Sequence, residues 1–170
     1  LTNWHVIDGA QYIRLCFKPE GRTVTTDCKD TGGAFAELFN YSIEKDLALL
    51  TFVGKKKFKG IEFEDYDNIK VGEQVHAIGH PKNLLWSYSK GIISQIRDNY
   101  NYEIEGYKHF STVIQMQTPI STGNSGGPLL NDSGKLVGIN TWVNSSGQNL
   151  NFAISINSIS AFFYQVVNQK

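Results

Sequence analysis

Methionine, cysteine and proline are scarce in this 170-residue chain, with one, two and four copies respectively. The four prolines form no Pro-rich linker, and no repeat or low-complexity tract interrupts the sequence. No apolar run approaches the roughly 18 to 20 residues that cross a bilayer, so a membrane-spanning helix is not expected. Charge of one sign is also missing: sixteen basic and sixteen acidic residues cancel. Nothing in that balance steers the chain toward nucleic acid or an anionic membrane surface. The local run Lys55-Lys56-Lys57-Phe58-Lys59 reads as a solvated loop. Because the sole methionine is Met116, Leu1 is not expected to be a translation start, and the lack of a leader says nothing about export.

The two cysteines, Cys16 and Cys28, fall in what reads as one hairpin. A turn over residues 18–21 would pair Cys16 with a residue near Val24, leaving Cys28 about four residues further along. At about 3.3 Å per residue, simple register holds the sulfurs too far apart, whereas a bulge or wider loop could join them. Neither cysteine sits in a Cys-x-x-Cys pair, which argues against metal binding and thiol chemistry. No cofactor or metal site is expected.

What the chain does have is short β-branched and aromatic runs between turn residues, an all-β pattern. Strands are expected at 12–17, 23–28, 34–40, 47–53, 74–79, 89–96, 112–117, 127–130, 136–143 and 150–154. Only the end reads as helical: Ile159, Phe162, Phe163, Val166 and Val167 recur at three- and four-residue spacing, with Asn157 or Ser158 as N-cap. That helix is expected to lay its apolar face on the β-structure. A boundary near 68–71 divides the chain into two strand-rich parts, one before and one after a shared cleft.

The run Gly123-Asn124-Ser125-Gly126-Gly127-Pro128 carries the most chemistry. A serine hydroxyl becomes a nucleophile only when a base takes its proton and donors await the oxyanion. Flanking glycines permit backbone angles that let successive N–H groups converge on one point. The run also fits Gly-x-Ser-x-Gly, the nucleophile elbow of α/β-hydrolases, whose histidine follows the serine. Here His5, His76, His80 and His109 all precede Ser125, so that reading has no base. A histidine–aspartate–serine order remains, with His5 in Thr2-Asn3-Trp4-His5-Val6 and Asp46 opening the apolar run Leu47–Leu50.

These three segments resemble the signatures of the trypsin-like serine peptidases, and most closely those of the HtrA/Do branch. Val71–Val75, Ala77–Pro81 and Asn151–Ile154 are similar to further stretches of that branch. The resemblance implies an all-β chymotrypsin-like fold of two six-stranded antiparallel barrels plus a C-terminal helix. The first barrel, residues 1–68, would lack its opening strands here, which leaves an exposed edge and leads us to expect residues upstream of Leu1. The second barrel would span 69–154 and the helix 155–170.

By resemblance, the function is serine endopeptidase chemistry on polypeptide substrates, including unfolded ones. Ser125 would attack, His5 would act as base and then acid, and Asp46 would orient the imidazole. The N–H groups of Gly123 and Ser125 would form the oxyanion hole. An acid six residues before the serine would select Lys or Arg in the trypsin branch; Pro119 stands there, which disfavours such cleavage. Ile120, Asn144 and Leu150 would line a primary pocket for a small or medium apolar side chain, narrowed by Trp142. The segment Ile139–Val143 would pair with extended substrate. A homo-oligomer and an envelope location are compatible with the branch. The competing reading is a catalytically silent peptide-binding module on the same fold.

The other histidines have plainer expectations. His76 and His80 lie four apart on extended chain, about 13 Å, too far to share a metal, and are read as structural. His109 falls in the polar stretch Asp98–Phe110 and is expected to be solvated.

Overall fold

A computed structural model describes residues 1–18, 33–54, 58–144 and 146–168. Its strands are β1 (Ile13–Leu15), β2 (Ala34–Ser42), β3 (Leu47–Phe52), β4 (Gln74–Gly79), β5 (Ser87–Ile104), β6 (Tyr107–Met116), β7 (Pro128–Asn131), β8 (Leu136–Val143) and β9 (Asn151–Ser155). One α-helix, α1 (Ile156–Asn168), follows. The all-β expectation with a terminal helix holds. The expected strand at 23–28, Cys28 and Lys55–Lys57 lie outside the described residues; Cys16 is disulfide-bonded.

β4 to β9 close into a six-stranded antiparallel barrel in the order β4-β5-β6-β9-β8-β7. Alternation fills it: Val75, Ala77, Ile93, Ile114, Leu129 and Ile154 point inward and are buried. All five residues of β9 are buried, because α1 covers its outer face while its inner face lines the barrel. Ile156, Ile159 and Phe162 provide that cover. Each such side chain contributes about 1.5–3 kcal/mol by leaving water. The helix starts earlier than expected: Ser155, not Asn157 or Ser158, precedes it, and its hydroxyl accepts the Asn157 N–H at 3.4 Å.

The first half is an antiparallel sheet of three described strands, β1-β2-β3. Phe35, Phe39 and Tyr41 of β2 are exposed on it. Residues 2–4 run along β3, with Thr2 N–H to Ala48 O at 3.0 Å and Ala48 N–H to Thr2 O at 2.9 Å.

The β5–β6 hairpin departs most from expectation. Residues 98–110 are not a polar loop; they are the outer half of a long two-stranded arm. One extra residue on β5 between Arg97 and Tyr100, where Asn99 takes φ +53°, makes a bulge. A bulge bends and twists a hairpin, and this arm reaches the first sheet. The Phe110 N–H donates to Glu44 O at 2.7 Å, and Trp4 meets Tyr107 edge to face at 4.7 Å.

Candidate active site

Asp46 lies in the turn between β2 and β3, fully buried, in the left-handed conformation at φ +52°. A non-glycine residue is rarely held there without compensation. Three donors converge on its carboxylate. The His5 N–H reaches Oδ1 at 2.9 Å, His5 Nδ1 reaches Oδ2 at 2.8 Å, and the Thr141 hydroxyl reaches Oδ2 at 2.9 Å. With Nδ1 engaged by a carboxylate, the proton-accepting nitrogen of a neutral His5 is Nε2.

Ser125 sits between Gly123 at φ +101° and Gly126 at φ +82°. Both angles suit glycine, and space excludes anything larger. A Cβ on Gly123 would collide with the His80 carbonyl, and one on Gly126 with the Thr2 hydroxyl. The Gly126 N–H is shared between Asn140 O at 2.9 Å and the Asn3 side-chain oxygen at 2.6 Å. His80 N–H binds Gly123 O at 3.0 Å, and Lys82 N–H binds Thr122 O at 2.9 Å. In a trans peptide the N–H opposes the C=O, so the Lys82 bond turns the Gly123 N–H to the far side. Neither the Gly123 nor the Ser125 N–H has an acceptor among the described residues.

The Ser125 hydroxyl donates to the Thr141 carbonyl at 2.7 Å. Thr141 thereby touches two of the three expected residues, Asp46 through its hydroxyl and Ser125 through its carbonyl. His5 and Ser125 line one cavity of about 780 Å³, together with Ile120, Gly123 and Trp142. Trp142 is fixed in a ring stack, 4.1 Å from Tyr102 and 4.5 Å from Phe152. Burial pushes the Tyr102 hydroxyl well above the usual phenol range, so it stays protonated. Asn144 and Leu150 meet at the base of the β8–β9 connection, where the Asn144 N–H donates to Leu150 O at 2.8 Å.

The remaining histidines divide. His76, on the barrel exterior, bonds Tyr88 at 2.6 Å and Asp132 at 2.7 Å, a structural place as expected. His80 lines the Ser125 cavity, and its Nδ1 accepts the Trp86 N–H at 2.9 Å. Burial lowers its pKa from the ordinary imidazole value. His109 corrects the expectation of solvation: it is 2% exposed and its Nδ1 meets Ile43 O at 2.6 Å. A carbonyl only accepts, so Nδ1 carries the proton.

Sequence reasoning missed Asn3, Lys82, His109 and Thr141. Asn3 was in view beside His5, and its short amide is the kind of side chain that bridges backbone groups. A lone hydroxyl on a strand, as at Thr141, gives no such signal.

A closed barrel beside a second sheet, with an Asp–His pair and a glycine-held serine in the cleft between them, defines a class. Residues 1–139 match the trypsin-like peptidase domain, and the chain belongs to that family. Within it the chain sides with the HtrA/Do branch of serine endopeptidases. It is 33% identical over 171 residues to the chloroplastic Protease Do-like 1 of Arabidopsis thaliana, covering 98% of this chain and 36% of that protein. It is 34% identical over 172 residues to the periplasmic pH-dependent serine endoprotease DegQ of Escherichia coli, covering 99% of this chain and 34% of DegQ. The solved HtrA-type protease AlgW with decapeptide superposes with a TM-score of 0.78 at 29% identity, over 98% of this chain and 47% of AlgW. This chain thus spans about a third of the length of these curated relatives.

Proposed function

We propose that the cleft hydrolyses peptide bonds through an acyl-enzyme, with His5, Asp46 and Ser125 as its triad. The observation carrying this reading is the continuous chain His5–Asp46–Thr141–Ser125, with bonds of 2.7–2.9 Å, whose His5, Thr141 and Ser125 line one cavity. Rotation of the Ser125 hydroxyl from the Thr141 carbonyl to His5 Nε2 sets up attack. Ser125 Oγ then bonds the substrate carbonyl carbon while its proton moves to Nε2. Asp46 holds the imidazolium, which passes the proton to the leaving amine. Water attacks the acyl-enzyme by the same route in reverse. The free N–H groups of Gly123 and Ser125 stabilise the oxyanion, worth about 10²–10³ in rate per donor.

Substrate is an extended polypeptide, and the AlgW structure solved with a decapeptide supports this. β7 covers β8 as far as Ile139, and Asn140 bonds Gly127, so pairing over all of Ile139–Val143 is not open. The edge left for substrate is Thr141–Val143. Ile120 and Trp142 bound a slot for a modest apolar side chain. Action on unfolded protein in an extracytoplasmic compartment is part of the same proposal, supported by relatives named as periplasmic.

A fluorophosphonate serine probe tests the reading. The parent should label and cleave casein, and Ser125→Ala should do neither. A folded parent that neither labels nor cleaves overturns the proposal in favour of a silent peptide-binding module.

A further inference from the structure

Glu105 stands at the tip of the β5–β6 arm and lines the cavity that holds His5 and Ser125. Among the described lining residues it is the one carrying an acid or a permanent charge; no Lys, Arg or Asp shares the wall. The tip is a two-residue turn between the paired Ile104 and Tyr107, with positive φ at both centres, +52° at Glu105 and +84° at Gly106. Such turns favour Asn, Asp or Gly first, because a short or absent side chain tolerates the left-handed region. Glutamate carries the strain without that aid. Its carboxylate has no hydrogen bond or ion pair with any described residue. By contrast Glu103 and Lys108, one step down the arm, stand directly opposite each other as a cross-strand pair of opposite charge.

We propose that Glu105 is a specificity-determining residue that selects Lys or Arg in the substrate, one residue before the residue whose carbonyl is attacked. This inference rests on the peptidase reading above. In an extended substrate successive side chains point to opposite sides. The residue at the scissile carbonyl turns toward Ile120 and Trp142, and its predecessor turns the other way, toward His5, Ile104 and Glu105. A Lys or Arg stem lies along Ile104 while its head reaches the carboxylate.

Three fluorogenic peptides that differ only at that position, Lys, Gln or Glu, test it with the whole chain, Glu105→Gln and Glu105→Lys. The parent should favour Lys over Gln by about two- to fivefold in kcat/KM, the range of an exposed ion pair. That ratio should shrink toward one in high salt. Glu105→Gln should bring the ratio to about one, and Glu105→Lys should favour the Glu peptide. Equal turnover of all three peptides by the parent, or a Lys preference that survives in Glu105→Gln, overturns the inference and leaves the peptidase reading standing. No cleavage of any peptide together with an unlabelled Ser125 overturns both.

Discussion

The side chain of Asn3 joins the two halves of the cleft: its oxygen accepts the Gly126 N–H at 2.6 Å while its amide donates to the Asp46 carbonyl at 3.0 Å. Asn3 is fully buried, and its truncation leaves the Gly126 N–H with Asn140 O alone and the Asp46 carbonyl with the Trp4 N–H alone. We expect Asn3→Ala to cost about 1–3 kcal/mol of stability, two lost hydrogen bonds at about 0.5–1.5 kcal/mol each. Urea denaturation reads that loss. Turnover should fall as well, because both the acid turn and the serine turn are released.

Gly123→Ala tests the serine turn directly. The new Cβ meets the His80 carbonyl, and φ +101° is a strained angle for alanine. The Thr122–Gly123 peptide must move from the direction set by Lys82. We expect kcat to drop by about 10²–10³, the value of one oxyanion donor. A circular dichroism spectrum matching the parent would assign the loss to the site and not to unfolding.

The arm gives a third expectation. His109→Phe keeps bulk but removes the donor to Ile43 O, the same carbonyl that accepts the Asp46 N–H at 3.0 Å. Stability should fall by about 0.5–1.5 kcal/mol, the net worth of one hydrogen bond. On the proposal that Asp46 acts through His5, kcat should fall while KM changes little, and steady-state kinetics on one peptide separate the two.

These residues mark how far the sequence could be read. Gln74–Gly79 and Leu136–Val143 match their expected bounds, because turn residues delimit an alternating run in the first and a continuously buried run in the second. His5, Asp46 and Ser125 were legible as a candidate set in a fixed order, and the fold brings His5 onto Asp46 and onto one cavity with Ser125. The outer arm was not, since its polar residues look like a loop although Tyr102 and His109 give it a half-buried to buried inner face. Lys82 acts through its main-chain N–H, which no side-chain pattern reveals. Thr141 works through one hydroxyl and one carbonyl, and only the folded geometry brings both to the cleft.

A fourth expectation concerns pH. Burial lowers the His80 pKa in the folded chain below the ordinary value of about 6.5 that applies unfolded. Below about 6.5 the unfolded chain therefore binds more protons, and stability falls as pH drops through that window to the lower folded value. Protonation of Nδ1 also removes the acceptor of the Trp86 N–H. His80→Asn keeps an acceptor and does not titrate, so its melting temperature should decline less than the parent's between pH 7 and 5. Parallel declines in thermal melts would refute this.

The arm is built from barrel strands, yet it grips the Ile43 and Glu44 carbonyls of the neighbouring sheet. Whatever bends that lever also shifts the acid at its far end, so a disturbance well away from the serine is felt as a change in its partner's aim. On the peptidase proposal the cleft is accordingly a slot whose aim the arm sets, and chain would enter it as a thread, one strand thick.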